Sequence, residues 1–173
     1  MPITETLAAV RTFDSRLATL LHLIKVGAEQ RNEAEATYLG HRLAPDMLPL
    51  GTQVAFTCNQ PRNFALWLAG TESDDLDPNL ESLAVAEQYI ADTRTLLAGH
   101  NSAEASLPPR KYLELGADLY ADLTGREYLE DFLMPNFHFH LVTTYAILRN
   151  LGVPVGKRDY MLHLLPKVQQ RAI

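Results

Sequence analysis

The chain has 173 residues, of which 47% are hydrophobic and 21% are charged, and its formal net charge is −6. That length predicts one domain whose core is large enough to fold without a disulfide or a structural metal, and the composition excludes a disordered chain. The acidic balance argues against a nucleic-acid-binding protein, because such proteins need a basic face that contacts phosphates.

A long amphipathic helix is predicted at the start of the chain. Apolar residues recur at steps of three and four over residues 7–24, which is the pattern of a helix with one buried side. Thr4 is the predicted N-cap, and Gly27 is the predicted end of the helix.

A short helix and a second long helix are predicted next. Asn32 and Glu35 have the spacing of a capping box, and a short helix is expected through residues 38–43. The second long helix is predicted over residues 48–69. Pro61 lies inside it, so we expect a kink near Cys58, where proline removes a backbone hydrogen bond.

An acidic loop separates the second long helix from the third. Residues 71–78 are predicted to be a solvated loop, because four of them carry carboxylates. Asp77 followed by Pro78 is the pattern of a helix cap with proline at the first helical position. The third helix is therefore predicted to run from this point to about Ala98, where Gly99 ends it.

The pattern then changes from a helical period to strict alternation. Leucine and alanine alternate with polar residues over 113–115 and 119–123, which predicts a short β-hairpin. Thr124 and Glu127 form a second capping-box pattern, and the last long helix is predicted to begin there and to end near Leu151.

These elements predict an all-α fold, a four-helix bundle with a short β-hairpin before the last long helix. Residues 1–173 are expected to form a single domain with a C-terminal tail from about residue 155. Cys58 is the only cysteine, and it lies on an apolar helical stripe, which predicts a buried, inert thiol. With no signal peptide pattern and no apolar stretch of membrane-spanning length, we expect a soluble cytoplasmic protein.

The last helix carries a polar seam on an apolar background. Asn136, His140, Thr143 and Thr144 follow one another at helical spacing. A second polar line holds four residues: Asp131, His138, Tyr145 and Arg149. Buried polar groups are costly unless they form hydrogen bonds, so the seam indicates either a structural network or a ligand-binding pocket, and the sequence leaves both open.

The histidines offer a weak pattern for a metal site. His138 and His140 are two residues apart, so they point about 200° apart on a helix and cannot both bind one ion. The chain contains neither a His-x-x-x-His nor a Glu-x-x-His pair, the spacings on which metal sites in helical bundles depend. A divalent metal is therefore a minor alternative, with His140 as its candidate ligand.

Arginines supply a second candidate feature. Arg42 and Asp46 flank Pro45 just before the second long helix. They predict either an ion pair that holds this corner or an anion-binding arginine at the mouth of a pocket. The basic turn around Lys157 and Arg158 is interpreted as solvated, as a docking point for the tail, or as a site for an anion.

Three stretches together resemble a known family. They are the corner from Arg42 to Met47, the run from Pro135 to His140 and the ending from Leu148 to Tyr160. They resemble a bacterial family of domains of unknown function that is similar to the DinB/YfiT-like metalloenzyme superfamily, and the resemblance covers about residues 4–162. It implies a DinB-like four-helix bundle that is often a homodimer.

The same resemblance implies a site. Metal-dependent members, some of them thiol transferases, take one histidine from the second long helix and a His-x-x-x-His pair from the last. Here the second helix has no histidine, and His140 is the best match to the motif, with His41 just before the second helix. The implied pocket is lined by His140 with five candidate neighbours: Arg42, Asp46, Asn136, Tyr145 and Arg149.

Three functions remain open from the sequence. The first is a protein that binds a small, possibly anionic ligand, with His140 as an acid, a base or a hydrogen-bonding group because histidine titrates near neutral pH. The second is a metal-dependent hydrolase or thiol transferase with His140 as a ligand. The third is a non-catalytic homodimeric interaction module. No nucleic-acid or membrane partner is expected.

Overall fold

Helices make up most of the fold, and a two-stranded hairpin interrupts them once. The computed structural model describes residues 4–101 and 106–169 of the protein. In chain order the elements are α1 (Glu5–Glu29), α2 (Glu35–Gly40), α3 (Leu50–Leu68), α4 (Leu83–Ala98), β1 (Arg110–Gly116), β2 (Leu119–Thr124), α5 (Gly125–Glu127), a π-helical segment (Tyr128–Leu133), α6 (Met134–Asn150), α7 (Lys157–Tyr160) and a 3-10 segment (Leu162–Lys167). The prediction of a mostly helical protein with one hairpin before the last long helix is confirmed.

Helix α1 begins where it is predicted to begin and continues past its predicted end. The Thr4 side chain accepts a hydrogen bond from the first turn, as an N-cap does. Gly27 lies inside α1, so its prediction as the end of the helix is wrong. A Cβ atom there would lie 2.2 Å from the Tyr38 hydroxyl oxygen. The glycine therefore leaves room for Tyr38, which donates a hydrogen bond to the Ile24 carbonyl at 3.0 Å.

Two predicted helix starts are wrong, for different reasons. Within the described residues α2 begins without a side-chain cap, and the Glu35 carboxylate accepts instead from the backbone N–H of Leu83, the first residue of α4, at 2.8 Å. The Asp77 carboxylate accepts from the backbone N–H of Asn79, as a cap would. The chain forms only a turn there, and α4 begins at Leu83 instead of Pro78.

The hairpin and the cap that follows it agree with the prediction. Strands β1 and β2 are antiparallel, with Leu113 opposite Ala121, and Gly116 has a φ of +136° beside the turn, a conformation that favours glycine. The Thr124 hydroxyl accepts from the backbone N–H of Glu127 at 3.3 Å, and the Glu127 carboxylate accepts from the backbone N–H of Thr124 at 2.7 Å. Through this capping box the last residue of β2 is also the N-cap of α5, so the helix follows the hairpin directly.

The last long helix contains a π-helical segment that the sequence pattern did not predict. Helix α5, the π segment and α6 run on without a break. The N–H of Met134 bonds the carbonyl of Leu129, five residues earlier. The next residue, Pro135, has no N–H to offer the carbonyl four residues before it. The wider turn therefore lies where proline weakens the α-helical bonding.

The C-terminal segment packs on α1. Helix α7 and the 3-10 segment lie in the tail that is predicted from about residue 155. The Asp159 carboxylate accepts from the backbone N–H of Gly156 at 2.8 Å and lies 2.9 Å from the His22 ring nitrogen. Asp159 thus caps α7 and ties it to α1, which supports the docking interpretation of this turn.

The core lies between α1, α3, α4 and α6, which pack against one another. Phe13 of α1, Phe64 of α3 and Phe137 of α6 meet in the middle, with ring centroids 5.1–5.5 Å from Phe13. Cys58 is buried, as predicted, and burial raises the pKa of its thiol. None of the helices in residues 4–101 and 106–169 combines the length and hydropathy that crossing a membrane requires.

Candidate functional site

A cleft lies between α3, the hairpin and the continuous helix that includes α6. Its volume is about 840 Å³, which is within the size range of small-molecule sites. Residues of α3, of the loop after α3, of β1, of the π segment and of α6 line it: Phe56, Asn59, Gln60, Asn63, Glu72, Ser73, Asp75, Lys111, Tyr112, Leu113, Glu114, Tyr128, Phe132, Asn136 and His140.

His140 is a buried polar residue in the lining of this cleft. Only 9% of the residue is exposed. Its Nδ1 lies 2.8 Å from Oε1 of Gln53, a residue of α3 that is 87 positions away in the chain. Nε2 of Gln53 donates to the Leu48 carbonyl at 3.1 Å, and this second bond determines that the amide oxygen faces the imidazole. Nδ1 of His140 therefore carries the hydrogen and donates it to Gln53.

The tautomer determines what His140 offers to the cleft. With the hydrogen on Nδ1, the Nε2 atom keeps its lone pair, and no described residue hydrogen-bonds it. Burial lowers the pKa of His140 to about 4, so the ring is neutral at pH 7. The sequence-based argument for an acid or base near neutral pH is therefore wrong for this residue. The described geometry makes Nε2 a hydrogen-bond acceptor.

Aromatic rings surround the imidazole and continue along the cleft. Phe56 meets His140 edge to face with centroids 5.2 Å apart. Tyr128 and Phe132 stack with a 14° interplanar angle and a 5.7 Å centroid distance. Both belong to the π segment, so the wider turn places these two rings at the cleft. Burial and the nearby charge of Asp75 raise the pKa of Tyr128 to about 12, so its hydroxyl stays protonated at pH 7.

The acidic loop after α3 is exposed, as predicted, but it is also fastened to α3. Arg62 bonds the Asp74 carboxylate, and Nδ2 of Asn63 donates to Asp75 at 2.9 Å. The backbone N–H of Leu76 donates to Asn59 at 3.0 Å. Polar residues about one helical turn apart on α3 thus hold the loop at the edge of the cleft, and its carboxylates become part of the lining.

The hairpin forms the opposite edge of the cleft. The Lys111 ammonium lies 5.6 Å from the centroid of the Tyr128 ring, within the range of a cation–π interaction. The backbone N–H of Gly125 donates to the Pro109 carbonyl at 3.0 Å and ties the base of the hairpin to α5. The cleft therefore depends on how the hairpin is seated on the helices.

The structure brings together two of the six residues predicted for the pocket. Asn136 and His140, one turn apart on α6, both line the cleft. Tyr145 and Arg149 follow His140 by five and nine positions, which places them about 140° and 180° around the helix. Tyr145 packs against Tyr160 with centroids 5.8 Å apart, and Arg149 donates to the Val155 carbonyl at 2.6 Å. They support the turn after α6 and do not line the cleft.

Arg42 and Asp46 also lie outside the cleft. The Arg42 guanidinium donates to the Met47 carbonyl at 2.6 Å, and Asp46 is exposed. Arg42 therefore stabilises the corner before α3 through a backbone carbonyl, whereas the sequence favoured an ion pair with Asp46.

Sequence reasoning missed the amides of α3. Gln53, Gln60, Asn59 and Asn63 all lie near or in the cleft. The spacings of seven between the glutamines and four between the asparagines put each pair on one side of a helix. That repeated amide pattern was the available signal.

The described residues do not fit the metal site that the resemblance implies. The polar side chain that contacts His140 is the amide of Gln53, which is neutral at all pH values that proteins tolerate. His138 lies on another side of α6, and His41 lies 3.1 Å from Glu33. Among residues 4–101 and 106–169 there is no group of three histidine, cysteine, aspartate or glutamate residues that could hold an ion.

The low pKa of His140 predicts a pH-dependent stability. The unfolded chain takes up this proton as the pH falls through about 6.5, whereas the folded chain takes it up only near pH 4. The free energy of unfolding should therefore decrease as the pH falls from about 6.5 to 4, by on the order of 2 kcal/mol after allowance for solvent screening. Urea unfolding of wild type and His140→Gln over this range tests it.

Carboxylates also titrate between about pH 6.5 and 4. The prediction therefore concerns the difference in pH dependence between wild type and His140→Gln. The pH slope of wild type should exceed that of His140→Gln, whereas Asn136→Ser, which removes no titratable group from the cleft, should keep the wild-type slope. Equal slopes for wild type and His140→Gln would contradict the proposed environment of His140.

Comparisons with known proteins agree with the fold. A family model described as a domain of unknown function, DUF1993, matches residues 7–161. The chain is also similar to the crystal structure of a DinB family member protein from Shewanella denitrificans, with 30% sequence identity over 88% of each chain and a TM-score of 0.75. No curated protein matches the chain. The family match extends from α1 through α7.

Proposed function

The chain belongs to the DUF1993 family, and on that premise we propose that it is a DinB-like four-helix bundle that binds a small polar ligand in the cleft around His140. The four long helices α1, α3, α4 and α6 supply the bundle. The observation that carries the binding proposal is the Nε2 lone pair of a histidine that is only 9% exposed, which none of the described residues hydrogen-bonds. Gln53 orients this ring through a buried hydrogen bond.

The charge of the cleft changes the expected ligand. The anionic ligand considered from the sequence depended on Arg42 and Arg149, and both guanidinium groups bond backbone carbonyls elsewhere. The cleft is lined by the carboxylates of Glu72, Asp75 and Glu114 and by one ammonium, that of Lys111. We therefore propose a ligand that is uncharged or cationic and that donates a hydrogen bond to His140.

A ligand screen tests this proposal. Thermal-shift measurements with neutral, cationic and anionic small metabolites should find at least one compound that stabilises the wild-type protein. Loss of one ligand hydrogen bond is expected to weaken its binding about tenfold in His140→Ala. Because that variant also leaves Gln53 without its partner, Asn136→Ala serves as a second cleft variant in which the His140–Gln53 bond is kept.

The control is His41→Ala, since His41 bonds Glu33 outside the cleft. It should bind every hit as the wild type does. If no compound in the panel binds, or if all hits bind His140→Ala and Asn136→Ala with unchanged affinity, the cleft is not the binding site.

A metal-dependent hydrolase or thiol transferase is the alternative that the unprotonated Nε2 of His140 favours, since a neutral imidazole nitrogen is a common metal ligand. It would need the remaining ligands from solvent or from another molecule. Stoichiometric zinc, nickel, iron or manganese in protein purified without an affinity tag, lost in His140→Ala, would support it over the metal-free proposal.

A homodimer is the second alternative, and one surface favours it. Phe139 and Val142 of α6 are 58% and 46% exposed, and large apolar side chains exposed side by side are typical of interaction surfaces. A light-scattering mass twice the 19.3 kDa of the chain, reduced to one chain in Phe139→Asp, would support it.

We also propose a cytoplasmic location, in keeping with the single cysteine.

A further inference from the structure

We infer that the cleft is built for an organic cation rich in hydrogen-bond donors, such as a primary amine or a guanidinium compound. This inference rests on the proposed function, since it names the ligand class of the same cleft. It follows from the direction of the hydrogen bonds in the lining, from the charges there and from the aromatic rings beside them.

Two amide side chains of the cleft, those of Gln60 and Asn136, use their NH₂ groups within their own helices. The NH₂ group of Gln60 donates to the Phe56 carbonyl at 3.2 Å, and that of Asn136 donates to the Phe132 carbonyl at 2.7 Å. Each amide thus satisfies a carbonyl four residues earlier in its own helix. Its oxygen, which can only accept, is left as the polar end available to a ligand.

His140 follows the same rule. Its N–H is used by Gln53, so its accessible nitrogen accepts. The Gln53 amide is engaged at both ends, because its NH₂ group donates to the Leu48 carbonyl. Asn63 donates to Asp75, and its amide oxygen is buried, so that oxygen does not face the cleft. The acceptors that the two helices present to the cleft are therefore those of Gln60 on α3 and of Asn136 and His140 on α6.

Charge reinforces this arrangement. The carboxylates of Glu72, Asp75 and Glu114 add acceptors that carry negative charge. The lining also holds donors, namely the Lys111 ammonium, the hydroxyls of Ser73, Tyr112 and Tyr128, and amide N–H groups such as that of Asn59, whose oxygen is already bonded to the backbone of Leu76. Three carboxylates face one ammonium, so a ligand that matches the charge of this lining brings positive charge.

The rings give a cation a further place to bind. Tyr128 and Phe132 stack on one another at the cleft, and Tyr112 of β1 also lines it. The ammonium of Lys111 already lies 5.6 Å from the Tyr128 ring centroid. This tethered ammonium occupies the position that a ligand ammonium would take, so we expect Lys111 to compete with the ligand.

A matched series of probes tests the inference. 1,4-Diaminobutane, 1,4-butanediol and succinate have the same chain length and carry amino, hydroxyl and carboxyl groups, and agmatine adds a guanidinium. In titration calorimetry at pH 7, 1,4-diaminobutane and agmatine should bind at least tenfold more tightly than the diol or succinate. Their affinity should fall with added salt, because charge contributes to binding.

Variants locate the binding. Lys111→Met should tighten 1,4-diaminobutane binding several-fold, since it removes the competing ammonium, and Glu114→Gln should weaken it several-fold. Lys25→Met and Glu87→Gln are the controls, because those residues pair with each other outside the cleft at 3.1 Å. Each control makes the same change in net charge as its cleft variant and should leave the affinity unchanged.

The outcomes separate this inference from the proposed function. If the diol binds in a His140-dependent manner and both cations do not, the ligand class is wrong and the cleft proposal stands. If succinate binds in that manner and both cations do not, the cleft remains the binding site, but the proposed preference for an uncharged or cationic ligand is overturned as well. If none of the four probes binds, the inference is overturned, while a His140-dependent hit from the wider screen would still support the cleft. If the cations bind but the controls change affinity as much as Lys111→Met and Glu114→Gln do, binding is to the acidic surface and the inference is overturned.

Discussion

Phe13→Ala is expected to lower the free energy of unfolding by about 3–5 kcal/mol, which is typical for removing a buried phenylalanine ring. Phe13 is 0% exposed. Its ring meets Phe64 of α3 and Phe137 of α6 at 5.5 and 5.1 Å. The variant therefore leaves a cavity where three helices meet, and rigid neighbours cannot fill it. Urea unfolding followed by circular dichroism measures the loss.

Leu119→Ala is the control for the loss of an exposed apolar side chain, because Leu119 is 68% exposed. It should change the free energy of unfolding by about 0.5 kcal/mol or less. Similar losses for both variants would contradict the assignment of the core. The comparison also bears on the site, since Phe137 lies three residues before His140 and its packing sets the rotation of α6 that directs His140 into the cleft.

Gly125→Ala is expected to cost about 3 kcal/mol and to weaken ligand binding at the same time. A Cβ atom at Gly125 would lie 2.1 Å from the backbone oxygen of Pro108 and 3.1 Å from the Trp67 ring. A backbone oxygen cannot rotate away as a side chain can, so the hairpin base has to move. Because the backbone N–H of Gly125 also holds Pro109, the movement should displace β1, and with it the Glu114 carboxylate, from the cleft.

The measurements are urea unfolding and the affinity for whichever probe binds the wild type. Gly40→Ala is the control: nothing lies within 4 Å of the position that its Cβ would take. Alanine there should leave binding unchanged and should stabilise the protein slightly, by less than about 1 kcal/mol, through the lower entropy of the unfolded chain. A Gly125→Ala variant as stable as the wild type would mean that the hairpin is not seated on α5 as described.

Local patterns predicted the parts of the fold that local interactions decide. The Thr4 cap, the hairpin around Gly116 and the capping box of Thr124 and Glu127 each depend on groups within a few residues of one another, and each is confirmed. The same reasoning failed for Glu35, because the fold brings to its carboxylate an N–H that is 48 residues away. For Asp77 the expected bond to the backbone N–H of Asn79 is made, but the chain does not continue as a helix from there.

For the candidate site, the sequence by itself determined that Asn136 and His140 share one side of a largely apolar helix, because the helical period fixes side-chain directions within one element. The tertiary structure alone decided what meets them. The rotation of α3 against α6 brings Gln53 to His140 and thereby sets its tautomer, and burial lowers its pKa to about 4. The turns around Arg42 and Arg149 take both guanidinium groups to backbone carbonyls instead of the cleft. Which side chains of distant helices come into contact depends on how those helices pack, and the spacing of residues along the chain does not specify that packing directly.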